Sequence, residues 1–299
     1  MGKHVTTAFL SPSFQDKFSE IILLSRNESC LFQPVSSQSG VKITSRCYNG
    51  TNLKESLQGV QILVNTIGPA GHDFKTKIAA ALPQTNIQVY FPSEFGVDHY
   101  GHDFAHLEWN EKKKHLANAQ RIVSHMSVKI CRVFCGLFLE GSIGPWFGLD
   151  TQNGQYTSVG SSRTPVSFTS LGDVGRTVAS LATLPAEKIL DVVHAGGDSR
   201  SIAEIAGIME SAGAGRINID CLPYEEYKKK ATAGPSGRPA ACLWFLMGDR
   251  GIAHTPAFLW SDNELVNPGQ RLWKWKTVWD LAKETNGQPV KDVVWPRHK

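Results

Sequence analysis

The stretch Val89-Tyr90-Phe91-Pro92-Ser93-Glu94-Phe95-Gly96-Val97-Asp98 decides the fold: an apolar run that halts at a proline and passes into a short polar turn closed by glycine. Upstream, Val60-Gln61-Ile62-Leu63-Val64-Asn65-Thr66-Ile67 repeats the pattern and stops in Gly68-Pro69-Ala70-Gly71. Short apolar runs bounded by turn residues read as strands buried on both faces. Two such strands, each ending in a polar, glycine-bearing loop, are what an open α/β sheet offers a ligand at its carboxyl edge.

Working outward, further strands are predicted over 20–25, 41–44 and 129–134, and helices over 75–82 and 111–125. The alternation implies a parallel, doubly wound sheet. The first ten residues admit two readings: Val5, Ala8 and Phe9 at i, i+3 and i+4 with Pro12 just beyond suit a short amphipathic helix, which would leave no strand before it, and a strand is the weaker parse. After Gly136 the texture changes: glycines and aromatics fill 141–160, then a helix over 174–184 capped by Ser170 or Asp173, a strand over 189–194, and a helix capped by Ser199 or Ser201. A strand over 217–222, a lysine-rich helix and tryptophan-rich segments follow. The expected organisation is a Rossmann-like domain over 1–140 and a smaller mixed α/β substrate or lid region over 141–299, with 166–195 returning to the sheet. Pro235-Ser236-Gly237-Arg238-Pro239 reads as a loop.

Composition narrows the function classes. In the 299 residues, 31 basic against 27 acidic side chains leave a formal charge of +4, dispersed apart from Lys112-Lys113-Lys114 and Lys228-Lys229-Lys230. That is too mild for a nucleic-acid partner. Six scattered cysteines, Cys30 among them, form no CxxC and read as inert thiols in a reduced, cytoplasmic setting. No stretch approaches a membrane span. His99, His102, His106 and His115, with Asp98 and Asp103, match no familiar metal spacing, so no metal is expected. Tyr224 and Lys228 have Tyr-x-x-x-Lys spacing but lie far from the strand ends, where chance explains them.

Several segments together resemble the NmrA-like family, the atypical short-chain dehydrogenases that include isoflavone reductase-like enzymes, with fungal members nearest. They are Leu24-Ser25-Arg26 at a strand end, the pattern from Leu57-x-Gly59-Val60 to Gly68, and Phe91-Pro92-Ser93-Glu94-Phe95-Gly96. Trp109 followed by Lys112, and Phe168-Thr169-Ser170-Leu171-Gly172-Asp173-Val174-Gly175, complete the set. The resemblance implies NADP(H) and reduction of a small aromatic or unsaturated metabolite. By position Lys112 becomes the lysine beside the nicotinamide, as a hydrogen-bond or proton donor, with Lys113 the alternative register. Arg26 falls where the family places an arginine for the adenosine 2′-phosphate, which a guanidinium suits better than an ammonium. Asn65, Thr66 and Gly68, and Pro92, Ser93, Glu94 and Phe95, end the two strands along which the cofactor would lie; plain turn chemistry accounts for the same residue types. Phe138, Trp146 and Phe147 could line an apolar substrate pocket or fill core.

One departure stands against this. The family opens with a strand, then G-x-x-G-x-x-G, then a helix, but here only Gly2 and Gly40 precede Gly50. Gly2 would be the last glycine of that motif, and the strands over 20–25 and 61–67 would each lose a ladder partner. The expectation is a polypeptide shortened at its start, with NADP(H) held weakly or lost. The rival readings are an NAD(P)-sensing regulatory protein and a non-redox protein on the same fold.

Overall fold

Val5, Ala8 and Phe9 do form the buried stripe of a helix, α1 (Gly2–Phe9), and Ser11 Oγ closes its end by donating to Ala8 O (2.7 Å). The computed structural model describes residues 1–26, 41–48, 51–102, 104–234, 239–255 and 257–290; Cys30, Asp103 and most of the expected 235–239 loop lie outside them. Strand β1 (Glu20–Ser25) occupies the six residues expected and pairs in parallel with β2 (Lys42–Cys47), from Glu20 opposite Lys42 to Ser25 opposite Cys47. β2 runs past its expected end at 44 because β1 offers partners that far.

A one-turn helix, α2 (Leu53–Ser56), precedes β3 (Ile62–Val64). Helix α3 (His72–Ala81) then crosses to β4 (Val89–Phe91), and α4 (Leu107–Ile122) to β5 (Lys129–Ile130). These three strands are parallel, in the order β3-β4-β5. All of β4 is buried: Val89 and Phe91 enter a core with α1, while Tyr90 enters a second core with α3 and α4. Helices on both faces thus explain a strand without polar alternation. Full burial of Phe91 contributes about 1.5–3 kcal/mol.

The expected strand over 129–134 breaks at Cys131 into β5 and β6 (Arg132–Phe134). Cys131 N still donates to Tyr90 O (3.0 Å), but Arg132 N turns to Asp191 O (2.9 Å). Downstream come β7 (Leu137–Phe138), α5 (Leu139–Ser142), β8 (Leu149–Asp150), β9 (Gln155–Val159), β10 (Val166–Thr169) and α6 (Leu171–Ala182). Then follow β11 (Val192–His194), β12 (Asp198–Arg200), α7 (Ile202–Ser211), β13 (Asn218–Leu222), α8 (Tyr224–Ala231) and α9 (Pro239–Gly248). Two short helices, α10 (Asn263–Val266) and α11 (Val278–Glu284), complete the described chain.

β6 pairs in parallel with β11, and β10 lies between β7 and antiparallel β12. β9 lies between β13 and β8, packed on a third core with Phe168, Met209, Phe245 and Leu281. Ser170, rather than Asp173, caps α6, and Ser201 caps α7 in a reciprocal capping box with Glu204. Among the described residues, β1 pairs only with β2 and β3 only with β4, so the two sets face each other with free edges.

Candidate functional site

The turn after β4 is built to drive a carboxylate inward. Pro92 ends the ladder, Glu94 N donates back to Pro92 O (2.8 Å), and Phe95 takes φ +28°. A bulky residue in left-handed backbone costs on the order of 1–3 kcal/mol and persists only where packing holds it; Phe95 is buried in the α1-side core. Glu94 is left with a side chain only 2% exposed. Its Oε1 accepts from Tyr100 Oη (3.3 Å), whereas Oε2 accepts no hydrogen bond. Burial holds this carboxyl above the usual carboxylate range, against the opposing pull of Lys112, Tyr100, Arg132 and Lys75.

His99 Nε2 lies 3.6 Å from Glu94 Oε2, but burial and then the Lys112 charge push the imidazole down to about 3, so the ring is neutral and the contact is not an ion pair. His106 Nδ1 caps α4 by accepting from Trp109 N (3.3 Å) and so sets the start of the helix that carries the lysines. Lys112 Nζ donates to Glu94 O (3.1 Å) and stands 3.8 Å from Glu94 Oε2. Lys113 instead lies over the Tyr100 ring, 5.7 Å from its centroid. Of the two registers, Lys112 is the one that meets the strand end.

Two further groups close on this cluster. Lys75 of α3 is 2% exposed, and burial, then the Lys112 charge, lower its basicity. It shares a helix face with Ile78, Ala79 and Leu82, the spacing that could have revealed an inward-facing lysine. At the end of β11, His194 Nε2 meets Asp98 Oδ2 at 2.8 Å while Asp98 Oδ1 accepts from Tyr100 N (2.9 Å). Burial opposes ionisation of Asp98, yet the bonds from His194 and Tyr100 outweigh it and hold the carboxyl below its usual range. No local signal joins positions so far apart in sequence. Among the described residues, no group of His, Cys, Asp and Glu could hold a metal ion.

At the end of β3 the polar groups turn mostly inward. Asn65 Oδ1 accepts from Ile67 N (3.0 Å) and Nδ2 donates to Tyr90 Oη (2.9 Å), which in turn meets His115 Nε2 (2.7 Å). Asn65 therefore shapes the loop with both ends of its amide. Thr66 faces the start of α1, where a Cβ on Gly2 would come to 3.0 Å from Thr66 Oγ1. Gly68 is exposed, Arg26 is exposed at the end of β1, Ser93 is half-buried and Pro92 buried. Phe138 and Phe147 pack against different cores, and Trp146 Nε1 donates to Gly141 O (2.7 Å).

A cavity of ≈ 570 Å³ opens between β1 and β3. Its walls are both strands, with Gly2, Val5 and Phe9 of α1, Thr66, and Ala182 of α6. It touches Gly2 and Thr66 of the expected cofactor residues but none of Glu94, Phe95 or Lys112. Of the expected residues, Gly2 and Thr66 thus line this cavity, Pro92, Ser93, Glu94, Phe95 and Lys112 gather at the end of β4, and Arg26, Asn65 and Gly68 follow the ends of β1 and β3 without lining the cavity.

The model of the NmrA-like family matches residues 1–237. An NmrA-like family domain-containing oxidoreductase of Gibberella moniliformis is 27% identical over 169 residues, 56% of this chain and 54% of the relative, so the chain spans about half the length of the curated relative it matches. Among solved structures, an isoflavone reductase superposes with a TM-score of 0.69 at 17% identity, covering 95% of each chain. A leucoanthocyanidin reductase–NADPH complex from Vitis vinifera gives 0.67 at 17% over 95% of each. A nucleoside-diphosphate-sugar epimerase from Staphylococcus aureus gives 0.65 at 13%, over 94% of this chain and 95% of that one. At these identities the structures establish a Rossmann-like α/β fold.

Proposed function

The chain belongs to the NmrA-like family, and from that premise we propose that it is an NADPH-dependent reductase of a small aromatic or unsaturated metabolite. The observation that carries this reading is the cluster at the end of β4: a buried Glu94 with an unbonded oxygen, a neutral His99 and an amino group on Lys112. Ionisable groups gathered and desolvated at a strand's carboxyl end mark a place where protons are held or moved.

The residues present fit the cofactor at both its ends. Arg26 offers an exposed guanidinium for a 2′-phosphate. The near-contact of Gly2 with Thr66 lets the first turn of α1 approach closely, which suits a phosphate oxygen. Lys112, held by Glu94 O, suits the nicotinamide ribose. When bound, NADPH supplies a hydride. Lys112 orients the ring end and hydrogen-bonds the substrate atom that takes up negative charge. Glu94 and Tyr100 keep the lysine and its turn in register, and the surrounding aromatics His99, Tyr100 and Trp109 exclude water.

Titration with NADPH, followed by nicotinamide fluorescence and then by oxidation with a panel of aromatic and enone substrates, tests the reading. Saturable binding with turnover supports it. Saturable binding without turnover across the panel supports a nucleotide-sensing protein instead, and absence of binding overturns both.

A further inference from the structure

Glu94 Oε2 and His99 Nε2 face each other at 3.6 Å, on side chains 2% and 1% exposed, and among the described residues neither atom has a hydrogen-bond partner. The His99 ring is clamped there: it stacks on Trp109 (centroids 5.6 Å apart, planes at 17°) and meets Phe134 edge-on (5.9 Å). Its bond with the Val97 backbone fixes the tautomer. A backbone carbonyl takes an N–H and Nε2 is unbonded, so the ring hydrogen sits on Nδ1, and Nε2 turns a lone pair towards Glu94. An ionised Glu94 would answer with lone pairs of its own. Two acceptors stripped of water and set against each other are unfavourable, and a single proton between them satisfies both. Glu94 is its natural holder, because burial and then the Lys112 charge work against an imidazolium at His99, while burial keeps the Glu94 carboxyl above its usual range. Tyr100 Oη already donates to Oε1 (3.3 Å), so Oε1 is the carbonyl oxygen and Oε2 the hydroxyl. The 3.6 Å gap exceeds a formed hydrogen bond by roughly 0.5–1 Å, which rotation of the carboxyl closes. The charges around the pair are Lys112 and Lys113 of α4, Arg132 of β6, Lys75 of α3, and Asp98, which His194 engages. Lys112 spends a hydrogen on Glu94 O (3.1 Å) and stays 3.8 Å from Oε2.

We propose that Glu94 rests as a carboxylic acid with its Oε2 proton directed at His99 Nε2, and that this acid recharges Lys112 after the lysine has given a proton to substrate. The first half stands on the geometry alone; the second rests on the reductase reading. Reduction consumes one proton besides the hydride that NADPH supplies. An Nζ–H bond of Lys112 breaks as its hydrogen passes to the substrate atom left with the electron pair, and Nζ remains neutral. The Oε2–H bond then breaks towards Nζ, leaving a Glu94 carboxylate beside a Lys112 ammonium, and a proton from solvent restores Oε2. Glu94 therefore acts through Lys112 as a positioning residue, with His99 the acceptor that keeps its proton in place.

Infrared difference spectra of the full chain without nucleotide, native minus Glu94→Gln at neutral pH, are expected to contain a carboxylic-acid C=O band that moves down in D2O. In His99→Phe, which keeps a stacking ring but removes Nε2, that band is expected to move up as its hydrogen bond is lost. Carbon-13 labelling of glutamate carboxyls in the unaltered protein answers the same question should a variant not fold: one carboxyl resonance is expected at the protonated position at neutral pH. Carboxylate bands in place of the acid band, or every glutamate carboxyl at the ionised position, would overturn the proposal. Recharging is read by stopped flow with a substrate from the panel. Glu94→Gln is expected to oxidise one NADPH per site at the native rate and then to turn over about a hundredfold more slowly, a burst that the native protein lacks. A first turnover slowed as much as the later ones would make Glu94 merely structural and overturn this half, as would unchanged steady-state turnover. An acid band in a protein that turns over no substrate would remove the reductase reading, and recharging with it, while leaving the buried acid in place.

Discussion

At the scale of single residues, the cluster after β4 makes the chain's acid response predictable. Burial pushes His99 down to about 3 and His115 and His254 to about 4. Each is neutral in the folded protein while its unfolded counterpart titrates near 6.5. The unfolded state therefore binds more protons as pH falls, and the stability present above 6.5 drains away towards pH 4, at about 1.4 kcal/mol per pH unit for each histidine fully engaged. Glu94 acts oppositely. Its raised folded value means that stability is lost as pH rises from about 4.5 through the folded value, but one carboxyl opposes three imidazoles. Urea unfolding is expected to show stability falling steeply below pH 6.5, and Glu94→Gln is expected to raise stability selectively above pH 4.5; an unchanged profile in that variant would remove the buried-carboxylate argument. Lys112 carries a separate expectation. With any substrate the panel yields, Lys112→Ala should lower kcat about a hundredfold, the ordinary size of a proton-donating or orienting contribution, while Lys113→Ala leaves it unchanged. Equal losses in both would mean that the lysines act only as general positive charge.

At the scale of elements, the position of α1 depends on a glycine in another helix. A Cβ on Gly175 of α6 would be driven into the His4 carbonyl and to 3.2 Å from Ala8 Cβ, so α1 lies directly on α6 at this point. Gly175→Ala is expected to cost about 1–3 kcal/mol by overpacking and to displace Gly2 from Thr66, weakening NADPH binding; thermal melts and the fluorescence titration read the two effects separately. Ser170→Ala, which removes the cap bond to Asp173 N (3.0 Å), should cost about 1 kcal/mol without that second effect. Elements of this kind are largely legible in sequence because their signals are local: the stripe Val5-Ala8-Phe9, the caps Ser170 and Ser201, and the apolar run of β1. The break at Cys131 is not, since the apolar run continues through it and only a change of ladder partner divides β5 from β6. β8 and β9 lie hidden among the glycines and aromatics of 141–160, where turn residues outweigh a five-residue alternation. The site divides the same way. Glu94 and Lys112 follow from a strand-ending motif and a helix register, whereas Lys75 needed the helix face to be phased and His194 arrives only through the pairing of β11 with β6.

At the scale of the whole molecule, the sheet is held unevenly. β4 is wholly buried, has strands on both sides and carries helices on both faces, so its amides open only when most of the structure opens. β1 and β2 form a partly exposed pair that, among the described residues, joins the rest through α1, through Arg46, which donates to Ser56 O (2.9 Å) and Gln58 O (2.8 Å), and through Tyr48 against Phe74, rather than through a ladder. Releasing that pair strips Ile21, Leu23 and Ile43 from one core and Leu24 from another, and leaves the three-stranded unit and the third core in place. Its opening free energy is thus expected to fall short of the global value by about 3 kcal/mol, a factor on the order of a hundred in exchange. Native-state hydrogen exchange should show amides of residues 20–25 and 42–47 exchanging together, about a hundredfold faster than those of 89–91 and 130–134. Such a result would identify the β1–β2 pair as one cooperative unit whose anchoring limits the site it flanks. Uniform exchange across all five strands would instead show that α1 couples the two parts as firmly as a continuous ladder does.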